Sequence, residues 1–187
     1  MEPTMKKQEN DKEIVKAKAN AAQGLRELFE VGLKDIYSAE KVLSKSLPKM
    51  VKNASSPELV SALKNHLTET EQQVSRLEKI FEVTGIKPSA KKSEAMEGLI
   101  KESNVVMEGT NLGKVRDAGI IAAGQKVEHY EIATYGTLHA FAKTLGEDKA
   151  AQLLAMNLDE KKKTDAALTG IAMASINAQA ATPNPKW

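Results

Sequence analysis

Four long stretches of this chain carry apolar residues at helical spacing, and each is closed by a Gly, Pro or Ser break. The first spans residues 24–52 and stops at Asn53-Ala54-Ser55-Ser56-Pro57, where Ser56 and Pro57 suit the cap and first turn of a second helix. That second helix spans 57–83, with Gly85 and Pro88 ending it. The third spans 115–145 and ends at Gly146; the fourth begins at Asp148, a candidate cap, and reaches about 180 before Pro183 and Pro185. The short first and last connections make two antiparallel hairpins. The middle connection, 86–114, is long enough to cross a bundle end to end, and it holds one short amphipathic helix over 93–107. An all-α, antiparallel four-helix bundle with one long crossover follows. Aromatics at only 4% agree, because a core of Leu, Ile, Val, Ala and Met suits helix-on-helix packing.

The organisation expected is a polar, flexible leader over 1–20, the bundle over 21–180 and a flexible tail over 181–187. The leader has no apolar core of a secretory signal, and no stretch reaches the length of a membrane span. A cytoplasmic protein without membrane contact is the expectation. Cysteine is absent, which excludes disulfides, thiolate zinc sites and a thiol nucleophile. A net charge of +2 and few aromatic stacking platforms argue against a nucleic-acid partner. Neither a Gly-x-Ser-x-Gly elbow nor a phosphate-binding glycine loop is present.

Placing side chains at about 100° per residue puts acids on the buried faces. Glu40 falls amid Phe29, Leu33, Ile36, Tyr37, Leu43 and Leu47 on the first helix, with Asp35 well to the side. Glu128 and Glu131 fall inside the stripe of Ile120, Ile121, Gly124, Val127, Tyr135 and Leu138 on the third, while His129 points the other way and His139 is borderline. On the second, His66 lies within the stripe of Leu59, Leu63, Leu67, Val74, Leu77 and Phe81, and Glu69 on its margin. On the fourth, Asn157, Glu160 and Thr164 interrupt Ala150, Leu153, Leu168 and Ile171. No Lys or Arg takes a comparable central position on these wheels. Facing carboxylates without a basic partner must share protons or cations. Cations are the simpler solution, and oxygen ligands with one imidazole suit iron or manganese. Tyr37 and Tyr135 fall near the same level, either as hydrogen-bond donors to it or as ordinary packing residues.

The runs Asp35-Ile36-Tyr37-Ser38-Ala39-Glu40-Lys41, His66-Leu67-Thr68-Glu69-Thr70, Glu94-Ala95-Met96-Glu97-Gly98-Leu99-Ile100, Gln125-Lys126-Val127-Glu128-His129-Tyr130-Glu131-Ile132-Ala133 and Leu158-Asp159-Glu160 resemble the YciE/YciF family of ferritin-like proteins. The resemblance covers about 25–176. It implies a ferritin-like bundle, a dinuclear metal centre, a homodimer and a role in stress protection. The ferritin-like template takes one Glu from each of two helices and a Glu-x-x-His from each of the other two. Here the second helix has the reverse order, His66-x-x-Glu69, with Gln72 where the template has imidazole; Lys163 takes that place after Glu160. An acidic residue is expected in relatives at Lys161, so this chain places a cation beside the site.

The expected metal ligands are therefore Glu40, His66, Glu69, Glu128, Glu131 and Glu160. Two readings stand. One is an iron or manganese protein using oxygen or peroxide, with ferroxidase- or catalase-like chemistry. The other is a non-enzymatic bundle acting by association, its core acids forming a polar network that fixes helix register.

Overall fold

Helix boundaries follow the punctuation of the chain closely. The computed structural model describes residues 14–89 and 91–182. Its helices are α1 (Leu25–Asn53), α2 (Pro57–Thr84), α3 (Glu94–Glu108), α4 (Lys114–Thr144) and α5 (Asp148–Ile171). A π-helical turn, Ala172–Ile176, then leads into α6 (Asn177–Ala181). Residues 14–20 of the expected leader are exposed and carry no helix. The rest of that leader, 1–13, and positions 183–187 of the expected tail lie outside the described residues.

Ser56 caps α2 by accepting from the Leu59 N–H, and Pro57 takes the first helical position. Gly85 and Gly146 adopt φ of 69° and 73°, the left-handed conformation that ends α2 and α4 without strain. The start of α5 differs from expectation. Asp148 is its first helical residue rather than its cap, and its carboxylate pairs with Lys143 at 3.2 Å. α1 runs on through Pro48, whose exposed position lets water take up the carbonyl that the ring leaves unbonded.

α1 packs beside α2 and α4, and α5 packs beside the same two helices. α1 thus faces α5 across one diagonal of the bundle, and α2 faces α4 across the other. The crossover helix α3 lies outside, against α1 and α4. Gly119 permits that approach: a Cβ there would lie 2.7 Å from Cγ1 of Val106. Ser93, just before α3, meets Tyr130 at 3.1 Å, and Tyr130 donates to Asp35 at 2.6 Å. Burial and that bond to Asp35 push the Tyr130 hydroxyl up to about 12. The buried carboxylate of Asp117 holds the other end together, accepting from Ser55 N–H and Oγ, each at 2.7 Å, and from Ser56 N–H at 3.0 Å.

The layers above and below the centre are apolar, with Phe29, Leu33, Leu59, Leu77, Ile120 and Leu138 all buried. The π turn was not legible in the pattern. By adding a residue to one turn it keeps Leu168, Ala172 and Ile176 on the core side at successive spacings of four.

Candidate metal centre

The middle of the bundle is a polar layer to which all four long helices contribute. Glu40 comes from α1, His66, Thr70 and Gln73 from α2, Glu128, Glu131 and Tyr135 from α4, and Asn157 and Lys161 from α5; all are buried. On α2 the cause is visible: Leu59, Leu63, His66, Thr70, Gln73, Leu77 and Ile80 recur at alternating spacings of four and three, so polar residues occupy an otherwise apolar stripe.

Two clusters share this layer. In the first, ligand atoms of His66, Glu128 and Glu131 all lie within 4.8 Å of one another. His66 Nε2 is 3.0 Å from Glu128 Oε1, an ion pair when the imidazole is protonated. With the imidazole neutral and its proton on Nδ1, Nε2 and both oxygens of Glu128 have no hydrogen-bond partner. Burial pushes the Glu128 carboxyl up, but the charges of His66 and Lys161 outweigh it and hold the carboxyl below its usual range. Glu131 goes the other way. Burial and the nearby Glu40 raise its carboxyl well above the usual range despite Lys161.

The second cluster is an ammonium site. Lys161 is fully buried, with Nζ 3.2 Å from Glu40 and 2.8 Å from Oε2 of Glu131. The contact to Glu40 has hydrogen-bond geometry, and the one to Glu131 is the shorter of the two. Burial alone would discharge the ammonium, yet Glu131, Glu40 and Glu128 together hold it firmly protonated. Tyr135 donates to the other oxygen of Glu40 at 2.6 Å, and burial with the Glu40 charge keeps its hydroxyl neutral far into base.

This ammonium overturns the wheel reading, on which no basic side chain takes a central position, and agrees with the cation that the family resemblance put beside the site. The buried face of α5 is Ala150, Ala151, Leu154, Asn157, Lys161 and Leu168. Reading apolar residues alone turns the wheel toward Leu153 and Ile171, because two of the six true inward positions are polar and two are only alanine. The same rotation moves Glu160 to the rim, where it is partly exposed and accepts from Gln73 at 3.0 Å and from Arg76 at 2.5 Å. Arg76 also donates to Asn157 at 2.9 Å. Glu69 is half-buried and accepts from Thr164 at 3.1 Å.

Of the six expected ligands, then, His66, Glu128 and Glu131 come together, Glu40 is held by Lys161 and Tyr135, and Glu69 and Glu160 sit at the edge with protein partners. Thr70 and Gln73 went unrecognised, although the four-three recurrence on α2 was their signal. Lys161 was placed beside the site by the family resemblance alone, since the wheel did not turn it inward. Tyr37 lies off the centre, donating to Glu78 at 2.9 Å. His129 is 71% exposed at its side chain and lies 3.3 Å from Asp165; His139 is half-buried.

One imidazole nitrogen and carboxylate oxygens without donors, buried and mutually close, fit a single transition-metal ion. A second ion does not fit as well, since the carboxylate expected to hold it, Glu40, already carries an ammonium and a phenol proton.

A helical bundle with an acid-and-histidine layer at its centre and one long crossover defines a ferritin-like protein. The profile of a domain of unknown function, DUF892, matches residues 24–181. The chain is 46% identical to protein YciF of Escherichia coli (strain K12) over 157 residues, 83% of this chain and 95% of that protein. Its fold matches the crystal structure of the E. coli stress protein YciF with a TM-score of 0.81 and 45% identity, covering 83% of this chain and 99% of that one. YcfI from Rhodopseudomonas palustris matches with a TM-score of 0.79 and 41% identity, covering 82% of this chain and 98% of that one. This chain belongs to the DUF892 family, that of YciF.

Proposed function

We propose that this protein is a metal-binding, stress-response member of its family that holds iron or manganese at His66, Glu128 and Glu131. The observation that carries the reading is the buried cluster of one nitrogen and two carboxylate ligands. Bound there, such an ion would supply one-electron redox chemistry toward oxygen or peroxide. The chain's own part is to deliver ligands from α2 and α4 and to exclude bulk water, since all three side chains are buried. Tyr135 and Lys161 hold Glu40 beside that cluster. The stress role rests on similarity to a protein described as a stress protein. A homodimer and a cytoplasmic location complete the proposal; no helix among the described residues is long and apolar enough to cross a membrane.

The test is elemental analysis of protein purified without chelator, followed by anaerobic titration with Fe(II) or Mn(II). Uptake is expected in the wild type and in His129→Ala, and its loss is expected in His66→Ala and Glu128→Ala with helicity retained. Uptake below a tenth of an equivalent in the wild type overturns the reading.

A second reading has one observation in its favour, the ammonium of Lys161 between Glu40 and Glu131. On this reading the layer is a metal-free ionic network that fixes how four helices meet. The same titration decides between them.

A further inference from the structure

We infer that Lys161 stands in the place of a second cation, so that this chain binds one metal ion where a paired ferritin-like centre binds two. The inference rests on the metal-binding reading above and goes further, to the composition of the centre.

Position is the first argument. A second metal in such a bundle would need the α1 carboxylate and a carboxylate from α4 as neighbours. Lys161 Nζ occupies that relationship, 3.2 Å from Glu40 and 2.8 Å from Glu131. Each oxygen of Glu40 already has a donor, Tyr135 to Oε1 at 2.6 Å and Lys161 to Oε2 at 3.2 Å. On α5, Glu160 is engaged by Arg76 and Gln73.

Charge is the second. The fully buried acids of the layer are Glu40, Glu128 and Glu131, and the one fully buried lysine among the described residues is Lys161. A metal binds these carboxylates in their ionised form; three negative charges against one ammonium then leave two negative charges, which a single divalent ion neutralises. Two divalent ions would leave two positive charges in a layer closed to water, an arrangement with a large desolvation penalty. Glu160 does not alter the count, since Arg76 balances it, and Glu69 is partly solvated at the rim.

The third is the division of the polar atoms. Both oxygens of Glu128 lack a hydrogen-bond donor, and so does Nε2 of His66. These open atoms lie on the α2–α4 side of the buried layer, whereas Glu40, on α1, is held by Tyr135 and by Lys161 from α5.

The experiment is a titration of metal-free protein with Mn(II), followed by calorimetry and electron paramagnetic resonance. The wild type is expected to take up one equivalent and to show the six-line spectrum of an isolated Mn(II). Glu40→Gln should keep that stoichiometry, with affinity lowered by no more than about 10–100-fold, the range for residues that support a ligand from behind. Glu131→Gln should weaken binding beyond that range. Lys161→Glu, which adds a carboxylate and removes the ammonium, should take up two equivalents and show a spin-coupled pair. Two equivalents in the wild type would overturn the inference while leaving the metal-binding reading standing. No uptake by the wild type would overturn both. If Lys161→Glu does not fold, the wild-type and Glu40→Gln titrations decide the matter alone.

Discussion

Lys161 Nζ lies 2.8 Å from Oε2 of Glu131, and neither side chain is reached by solvent. The last long helix therefore carries a counter-ion into the acidic layer that α1 and α4 build. Removing one partner of a buried pair leaves an uncompensated charge, at a cost of about 3–5 kcal/mol. Lys161→Met should destabilise the metal-free protein by that order in urea unfolding near neutral pH. The loss should shrink in acid, where the carboxylates accept protons. A loss below about 1 kcal/mol, the size of an exposed pair, contradicts the burial.

Tyr135→Phe removes the donor to Glu40 at 2.6 Å without changing the shape of the core. Leaving a buried acceptor short of one donor costs about 1–3 kcal/mol. The expected signature is a lower denaturant midpoint with an unchanged slope.

Tyr130 gives a dependence on high pH. Its hydroxyl is pushed up to about 12 by burial and by the bond to Asp35, against about 10 in an unfolded chain. A raised value means that the folded state keeps its proton longer. The stability this group contributes is thus fully present below about pH 10 and is lost as pH rises through about 12. Tyr130→Phe should flatten the fall in stability over that window. Equal slopes for the two proteins would remove Tyr130 as its source.

Asp117 joins the start of α4 to the α1–α2 turn through Ser55 and Ser56. Asp117→Ala strands a buried N–H at Ser56 and should cost about 1–3 kcal/mol. Faster amide exchange at Ser55 and Ser56 would locate the damage. Asp117→Asn, which keeps one acceptor, should recover part of the loss.

The fold was legible because its punctuation is strong. Ser56-Pro57, Gly85 and Gly146 each mark a helix end where the chain has one. The acids on α1 and α4 were legible too, since Glu40, Glu128 and Glu131 interrupt stripes of large apolar residues. α5 was not. Its inward face mixes Ala150, Asn157 and Lys161 with only two leucines, so hydrophobic periodicity there has little contrast. A lysine can be buried only where acids already wait for it, and that information lies on α1 and α4. No reading of one helix alone contains it.

Two contacts of the polar layer run in crossed directions. His66 to Glu128, ionic when the imidazole is protonated or bridged when a metal is bound, joins α2 to α4, and Lys161 to Glu40 joins α5 to α1. A four-sided frame with compliant corners shears into a lozenge unless its diagonals are tied. The apolar layers above and below hold by non-directional burial, whereas a frame braced both ways keeps its square section. This bundle therefore holds its cross-section by struts at its waist, and cutting either strut would let the four helices lean.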